Sequence, residues 1–355
     1  HEAASQGQSE TVQVLLEHGA ELDARNNDND TPFLLACLYG HMKTAQLLQQ
    51  KGADVTAVGQ HGRSALQHAA FGGLTELVSY LIERRLDINR KDNNDDTPFL
   101  LACLNGHMKT AQLLEQKGAD VTAVGQYGRS ALQHAAYGGH TELVSYLIER
   151  GLDINRKDTY GDTSFILACW QGHMKTAETL VERGADVNVT NKDDRSALHL
   201  AANNGKVDTV KWLLSLGLSM TGRSNTGDTP LHEAASQGQS ETVQVLLEHE
   251  AELDARNNDN DTPFLLACLN GHMKTAQLLE QKGADVTAVG QYGRSALQHA
   301  AYGGHTELVS YLIERGLDIN RKDNDNTPSL PTRHNGHMKT VPLLGPKGAD
   351  VTAVG

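Results

Sequence analysis

The side chains of this sequence that could bind a metal ion or act as nucleophiles are 4 cysteines and 17 histidines. Thiolates and imidazoles are the usual protein ligands of zinc, and both can serve as nucleophile or base in catalysis. Each cysteine ends a short apolar segment of the type Phe-Leu-Leu-Ala-Cys, and successive cysteines are 66 or 99 residues apart. This spacing indicates one recurring structural position, so we predict free thiols in the core at Cys37, Cys103, Cys169 and Cys268.

Seven of the histidines also share one position, because each follows a glycine and precedes Met-Lys-Thr or Thr-Glu-Leu. These histidines are His41, His107, His140, His173, His272, His305 and His337. Two of them, His140 and His305, follow another histidine by six residues, but neither pair has a third ligand at the spacing of a zinc site. We therefore predict that the chain binds no metal ion and no other cofactor.

The acidic run 92–96 resembles the start of a calcium-binding loop, in which alternate residues supply oxygen ligands. The rest of such a loop is missing, because its sixth position is not glycine and Cys103 occupies its twelfth. The sequence also lacks a Gly-rich phosphate loop and a nucleophile elbow, and its Ser, His and Asp residues recur at regular intervals. These observations predict a protein that is not an enzyme.

The overall composition argues against two kinds of partner. The formal charge of −13 opposes binding to nucleic acid, because that affinity depends largely on Lys and Arg replacing counterions. No apolar run approaches the roughly 20 residues that a membrane-spanning helix needs, so we expect no direct membrane insertion. Free thiols favour a reducing compartment, so we expect a cytoplasmic protein; any N-terminal signal lies outside a chain that begins at His1.

The recurring positions belong to a regular repeat of 33 residues. A Thr-Pro, Thr-Ser or Ser-Ala pair opens an apolar stretch at this interval, first at Thr31 and last at Ser295, and Thr327 follows one residue early. A period of this length is typical of units that cannot bury an apolar face alone and must stack on their neighbours.

Each unit predicts two short helices, as residues 229–261 show. Thr229 can cap the first helix, and Pro230 suits the first helical position because its missing N–H leaves no bond unmade there. Apolar residues at 231, 234 and 235 then form one face, and Gly238 ends the helix. A second helix carries Val243 and Leu246 at helical spacing, and a polar Asn/Asp-rich turn closes the unit.

These residues resemble the signature of the ankyrin-repeat family. The resemblance rests on Thr229-Pro230-Leu231-His232 with Ala234-Ala235 and on Gly184-Ala185-Asp186-Val187-Asn188, and related segments cover essentially the whole chain. It implies an all-α fold, an ankyrin-repeat α-solenoid of stacked helix-turn-helix units with short β-hairpin fingers. It also implies a concave binding surface of fingers and first helices, and recurring turn histidines that bond local backbone.

We expect a single ankyrin-repeat solenoid over residues 1–355. Residues 1–28 form a truncated first repeat, residues 29–325 form nine regular repeats, and residues 326–355 form a degenerate last repeat with Pro331, Pro342 and Pro346. Arg85 and Glu250 replace the glycine that ends other units, at a cost of about 1 kcal/mol each. Residues 1–92 recur at 232–323 with seven differences, which indicates recent duplication or, alternatively, two copies of one binding surface.

The resemblance places the binding surface on the exposed side of the first helices, four, seven and eight residues after each capping Thr or Ser. The predicted partner-binding residues are Tyr39, His68, Phe71, Leu101, Leu104, His134, Tyr137, Leu167, Trp170 and Tyr302, with the fingertip residues Tyr127 and Tyr160. Exposed aromatic side chains are the usual anchors of protein interfaces, although each of these side chains could instead cover a seam between units.

We therefore expect a monomeric, non-catalytic scaffold that binds a protein partner of unknown identity. One alternative is the cytosolic ankyrin arm of a larger signalling, ubiquitin-ligase or channel protein. Another is a mechanical spacer, in which the stacking of the repeats is itself the function.

The array also resembles the ankyrin substrates of a hypoxia-linked asparaginyl hydroxylase. That enzyme favours a Leu eight residues before an Asn that follows an acidic and an aliphatic residue. Four sites match, at Asn89, Asn155, Asn188 and Asn320. The alternative is that each Asn only satisfies the backbone of its finger.

Overall fold

A computed structural model describes residues 1–324, which contain ten pairs of α-helices joined by short turns. The pairs are Glu2–Ser5 and Ser9–Glu17, Pro32–Leu38 and Met42–Gln50, Ala65–Phe71 and Thr75–Glu83, Pro98–Leu104 and Met108–Gln116, Ala131–Tyr137 and Thr141–Glu149, Ser164–Gln171 and Met174–Glu182, Ala197–Asn203 and Val207–Ser215, Pro230–Ser236 and Ser240–Glu248, Pro263–Leu269 and Met273–Gln281, and Ala296–Tyr302 and Thr306–Glu314. The predicted all-α class is confirmed. The predictions for residues 326–355, and for His337, lie outside the described residues.

The chain forms two compact units. The first unit comprises His1–Ala168 and Lys175–Asp186, and the second comprises Cys169–Met174 and the residues from Val187 onward. Within each unit the first helices of successive repeats pack against one another, as Pro230–Ser236 packs against Pro263–Leu269. The repeat therefore buries its apolar face against its neighbour, as the sequence period predicts.

The predicted capping of the first helices is present throughout the regular repeats. The Thr229 hydroxyl accepts a hydrogen bond from the backbone N–H of His232, and Pro230 occupies the first turn. Ser64 forms a full capping box, because its hydroxyl accepts from the Gln67 N–H while the Gln67 Oε1 accepts from the Ser64 N–H. Both arrangements satisfy helical amides that have no partner inside the helix.

Where it is glutamine or histidine, the third residue of the first helix also bonds the next repeat. The Gln67 Nε2 donates to the carbonyl oxygens of Arg90 and Asp96, at 3.1 and 2.7 Å. His199 does the same in the second unit, because its Nδ1 accepts from the Ser196 N–H while its Nε2 donates to the carbonyl oxygens of Gly222 and Asp228. One buried side chain thus completes the cap of its own helix and hydrogen-bonds the following loop.

The turn between the two helices of a repeat uses a glycine and, in most repeats, a histidine. Gly40 adopts a left-handed conformation with φ of 79°, which glycine reaches at little steric cost. The next residue, His41, bonds the carbonyl oxygen of Ser5 through its Nε2 at 2.9 Å, and His107 bonds that of Phe71 in the same way. The expectation that these histidines bond local backbone is wrong, because the carbonyl belongs to the preceding repeat.

The loops that join successive repeats, here called fingers, are tight turns tied to one another. The N–H of Thr159 donates to the carbonyl oxygen of Tyr127 at 2.9 Å, so the tips of two adjacent fingers are directly bonded. Four fingers close on a single antiparallel bridge, such as Val124 with Ser130, and the described residues contain no longer strand. In these four fingers, the β-hairpin implied by the family resemblance therefore consists of a single bridge.

The core is made of small and aliphatic side chains with one phenylalanine in alternate repeats of the first unit. Phe33, Phe99 and Phe165 are fully buried, and so is Phe264 in the second unit. All four cysteines are buried and unpaired, and burial raises the pKa of each thiol, including that of Cys37. The prediction that they are small core residues is confirmed.

The second helix of each repeat ends on a residue in the left-handed conformation. Gly151 and Gly316 have φ of 85° and 84°, and a Cβ at either position would meet nothing within 4 Å. Arg85 and Glu250 adopt the same conformation, with φ of 62° and 67°. The two non-glycine caps are therefore strained by their own Cβ atoms, as expected from the sequence.

Replacing Arg85 with glycine tests this strain. The R85G chain should unfold at a higher urea concentration, with a gain on the order of 1 kcal/mol, because the left-handed cap no longer carries a Cβ. The reverse change, Gly151→Arg, should lower the midpoint by a similar amount and is the matched control. Equal midpoints for the parent chain and both variants would contradict the assignment.

Buried histidines at the third helical position predict a loss of stability in mild acid. Burial lowers the pKa of His199 to about 4, although the carbonyl oxygens of Asp228 and Gly222 oppose the shift. The unfolded chain binds a proton near pH 6.5 and the folded chain does not, so stability is full above pH 6.5 and falls towards pH 4.

Glutamine occupies the position of His199 in three other repeats, at Gln67, Gln133 and Gln298. His199→Gln should therefore keep the cap and remove about 1–2 kcal/mol of the stability lost between pH 7 and pH 5. Urea unfolding at the two pH values measures this difference. An unchanged pH dependence in the variant would show that His199 does not titrate as described.

Candidate functional site

Four of the predicted partner-binding side chains are not exposed. Leu101 and Leu167 are fully buried, and His68 and His134 are each 3% exposed. All four lie four residues after the capping Thr or Ser. The prediction that these four side chains are exposed is wrong, because the first helices of neighbouring repeats pack against each other, as Ala65–Phe71 packs against Pro98–Leu104.

The positions seven and eight residues after the cap do reach the surface. In the first unit they hold Tyr39, Phe71, Leu104 and Tyr137, here called the helix-end stripe. Tyr39 is 57% exposed, and the other three are half-buried. The second unit has its own members of this class, since Trp170 is half-buried and Tyr302 is exposed.

The fingertip tyrosines extend the stripe in the first unit. The ring centroids of Tyr127 and Tyr160 are 5.4 Å apart with planes tilted by 53°, and the two side chains are 44% and 53% exposed. The Arg129 guanidinium carbon lies 5.3 Å from the Tyr127 ring centroid and 4.9 Å from that of Tyr137. These contacts form a continuous stack, here called the aromatic ladder. In order, its members are Tyr160, Tyr127, Arg129 and Tyr137.

Arg129 is held in the ladder by a buried carboxylate. Its Nε donates to the Asp158 Oδ2 at 3.1 Å, and both side chains are nearly inaccessible to solvent. The Asp158 Oδ1 accepts from the backbone N–H groups of Tyr160 and Asp162 and so fixes the next fingertip. Charge neutralisation and cation–π contact together make the ladder a rigid, electrically neutral support.

Arg129 is not among the predicted partner-binding residues. The available signal was an arginine directly before each capping serine of the regular repeats, at Arg63, Arg129, Arg195 and Arg294. Two of the other three arginines also stack on the helix-end aromatic of their own repeat: Arg63 lies 4.7 Å from the Phe71 ring centroid, and Arg294 lies 5.0 Å from that of Tyr302. Only the contact distances show that Arg129 joins the fingertip tyrosines to Tyr137, at the end of the first helix, in one stack.

A second group outside the predicted partner-binding residues is the aspartate before each capping threonine. The Asp96 Oδ1 accepts from the Gln126 N–H at 3.1 Å and lies 3.3 Å from the His134 Nε2. Asp30 has the same arrangement with the Gln60 N–H at 3.0 Å. These buried carboxylates link one finger to the next, so they position the fingertips rather than form a separate site.

The acidic fingers direct their carboxylates into the finger itself. The Asp92 Oδ1 accepts from the N–H groups of Asn94 and Asp96, and its Oδ2 accepts from the Arg63 Nε at 3.1 Å. Among residues 1–324 no three His, Cys, Asp or Glu side chains are grouped as a metal ion would require. No helix in that part of the chain is both long and apolar enough to cross a bilayer.

Comparison with known proteins agrees with this geometry. The family model for ankyrin repeats matches residues 1–59, 57–124, 99–191, 165–257, 250–323 and 266–354. The chain belongs to the ankyrin-repeat family. It is similar to the crystal structure of the human ASB11 ankyrin repeat domain, with 27% identity, a TM-score of 0.51, and coverage of 57% of this chain and 91% of that one. No curated protein matches the sequence.

Ankyrin repeats are generally protein–protein interaction modules, and the fold is typically non-catalytic.

Within this ankyrin array one repeat departs from the apolar pattern of the first helices. Glu233 is buried at the position that holds Leu or His in the other regular repeats, 2.8 Å from the Arg195 Nε, and it accepts from the Asn203 Nδ2 at 2.9 Å. Burial raises the pKa of Glu233, and the Arg195 charge opposes that rise.

The finger asparagines of the ankyrin array are exposed. Asn89, Asn155, Asn188 and Asn320 all have solvent-accessible side chains. The Asn89 Oδ1 accepts from the backbone N–H of Asp120 at 2.8 Å, and the Asn155 Oδ1 accepts from that of Asp186 at 2.9 Å. At these two positions the amide side chain ties one repeat to the next.

Proposed function

We propose that the chain is a non-catalytic scaffold that binds a partner protein through its helix-end stripe and aromatic ladder. The supporting observation is the placement of its aromatic residues, which make up only 5% of the sequence. Five of the eight exposed large apolar or aromatic side chains in the described part of the chain are tyrosines at fingertips or first-helix ends. Exposed, rigidly held tyrosines supply contact area at a low entropic cost.

The binding surface proposed for the first unit comprises Tyr39, Phe71, Leu104, Tyr137, Tyr127 and Tyr160, with Trp170 and Tyr302 as the candidates in the second unit. Four of the predicted residues are left out of this surface, because their burial keeps them from contacting a partner directly. They are Leu101, Leu167, His68 and His134. We propose a monomeric cytoplasmic protein. The chain could equally serve as one arm of a larger signalling, ubiquitin-ligase or channel protein, or as a mechanical spacer; sequence flanking residues 1–355 would decide the first of these.

Substitution of Tyr39 and Tyr137 tests the proposal. Tyr39→Asn introduces the residue found at the equivalent positions Asn105 and Asn270, and Tyr137→Ala removes one ring of the aromatic ladder. Partners captured from native cells by the parent chain and purified should bind the double variant at least about tenfold more weakly, because two interface anchors are lost.

Tyr80→Ala is the matched control, since it also removes a tyrosine ring that stacks on an arginine, Arg84, but from the second helix Thr75–Glu83, which lies outside the proposed surface. Circular dichroism should show equal helix content in all the chains. Undiminished binding of the purified partner by the double variant would rule out the helix-end stripe as the interface.

We also propose that Asn89, Asn155, Asn188 and Asn320 are hydroxylation sites, on the strength of their exposure and of the Leu eight residues before each one. Peptide masses from protein isolated from native cells should show one added oxygen at one or more of these asparagines. The peptide containing Asn257 and Asn258, which lack the preceding Leu, is the internal control. Unmodified masses at all four positions would end this proposal.

A further inference from the structure

We propose that Gln49, Arg84 and Arg85 form a site for one phosphoryl group, carried by a phosphorylated side chain on a flexible segment of another protein. The site lies in the first unit, where the second helices Met42–Gln50 and Thr75–Glu83 end. It is separate from the fingertips and first-helix ends of the proposed function, so the inference goes beyond that function.

Two internal copies of this region show a neutral arrangement of the same helix ends. Where the first copy has Gln49, the copies have Glu115 and Glu280. Each glutamate pairs with an arginine of the next repeat, since Arg150 binds Glu115 and the Arg315 Nε lies 3.3 Å from the Glu280 Oε1. Such an exposed pair contributes little to stability, but it neutralises the arginine.

In the first copy two substitutions act at the same point and in the same direction. Gln49 removes the carboxylate that would pair with Arg84, and Arg85 adds a cation where both copies have glycine. The negative end of the helix dipole accounts for an arginine at position 84 and its equivalents in all three copies. It does not account for either substitution, because the helices are otherwise the same.

The two substitutions leave this region with a positive charge. Segments 42–58 and 75–91 together contain six basic and four acidic side chains, whereas segments 108–124 and 141–157 contain five of each. All the other charged residues of these segments are identical, so the excess comes from the two substitutions alone. The first copy is therefore suited to an anion at a point where the second copy is neutral.

The carboxylates close to the site in sequence do not cancel this excess. The Asp54 Oδ1 accepts from the N–H and the hydroxyl of Thr56, and the Asp87 Oδ1 accepts from the Asn89 N–H. Glu83 is exposed beside Arg84, but the neutral copy has the equivalent glutamate as well. The difference between the copies therefore remains.

Gln49 and Arg84 present hydrogen-bond donors to solvent. The Gln49 Oε1 accepts from the Arg84 Nε at 3.3 Å and from the Tyr80 hydroxyl. Within residues 1–324 no hydrogen bond engages the Gln49 Nε2 or the Nη atoms of Arg84, which is exposed. The Arg84 guanidinium carbon lies 4.4 Å from the Tyr80 ring centroid, and this cation–π contact holds the guanidinium in place.

Arg85 is exposed and held in a strained conformation. Its φ of 62° lies in the left-handed region, where the equivalent residues are Gly151 and Gly316. A Cβ at either glycine would meet nothing within 4 Å, which indicates that the Arg85 side chain projects into solvent and makes no packing contact. Adjacent Cα atoms are about 3.8 Å apart, so this long side chain can turn to a ligand bound by Arg84. Strained residues of this kind are concentrated at functional sites.

A phosphoryl group matches these donors better than other anions do. Guanidinium groups bind phosphate in a bidentate manner, and a phosphate monoester brings nearly two negative charges and three acceptor oxygens to the three donor side chains. A carboxylate brings one charge and two oxygens. A membrane surface or nucleic acid would present many phosphates to a chain of formal charge −13, so a single phosphoryl group on a flexible segment is favoured.

The test uses the full chain and a fluorescent glycine–serine peptide with one phosphoserine, and the unphosphorylated peptide is its counterpart. At about 0.15 M salt, where long-range attraction is screened, the phosphopeptide should bind and the counterpart should not. Arg85→Gly and Gln49→Glu should each weaken binding at least about tenfold, because each removes a charge-assisted contact. Arg85→Gly should also unfold at a higher urea concentration than the parent chain, so loss of fold cannot explain its loss of binding.

The copy at 92–157 allows the reverse experiment. Glu115→Gln combined with Gly151→Arg recreates both substitutions there and should add a second phosphopeptide site to the chain, measured by isothermal titration calorimetry. Gly151→Arg alone is the matched control, because Glu115 still neutralises Arg150. It should add no second site, and circular dichroism should show equal helix content in both variants.

Equal binding of the two peptides, undiminished binding by the Arg85→Gly chain, or the lack of a second site in the double variant would overturn the inference. Binding to vesicles that contain phosphatidylinositol phosphates, without binding to the phosphopeptide, would overturn it as well. These measurements leave the helix-end stripe untouched, so their failure and the failure of the Tyr39 and Tyr137 test are distinguishable.

Discussion

In the repeats that carry glutamine or histidine there, the structure depends on the hydrogen bonds that the third residue of the first helix makes with the following finger. Gln67 and Gln133 each satisfy a capping serine on one side and a carbonyl oxygen 29 residues further along the chain on the other. These side chains are buried, so a missing partner would cost on the order of 1–3 kcal/mol. In these repeats the bond fixes the position of the following finger relative to the helix before it, whereas in the leucine repeats the aspartate before the capping threonine bonds the next finger, as Asp96 bonds the Gln126 N–H.

This constraint also explains which side chains remain available for binding. In those repeats the first helices must pack closely enough for the third residue to reach the next finger, and that packing covers the position one residue beyond it, as in His134. Only the ends of the helices and the tips of the fingers stay accessible. The exposed aromatic residues occupy those two places, and Arg129 joins them into one rigid stack.

The internal copies show the same division between core and surface. Segments 26–91 and 257–322 begin with the same finger and differ at six positions. In the first copy these positions are 39, 49, 61, 71, 74 and 85, and none of them is buried. The core tolerates little change in volume, whereas side chains on the surface can be exchanged at small cost. Backbone strain is likewise found at the surface. Arg85 and Tyr127 adopt the left-handed conformation at turns, where a non-glycine residue is opposed by its own backbone conformation and not by the packing of the core.

The sequence by itself determined the repeat, the two helices of each unit, the caps at Thr229 and Ser64, and the buried role of Cys37. These features are local or periodic, so residue type and spacing are sufficient to specify them. The sequence did not determine that Leu101 and His134 are buried, that His41 bonds the preceding repeat, or that Arg129 links Tyr127 to Tyr137. Those facts depend on how closely one repeat approaches the next, a distance set by the packing of whole helices, so only the tertiary structure decided them.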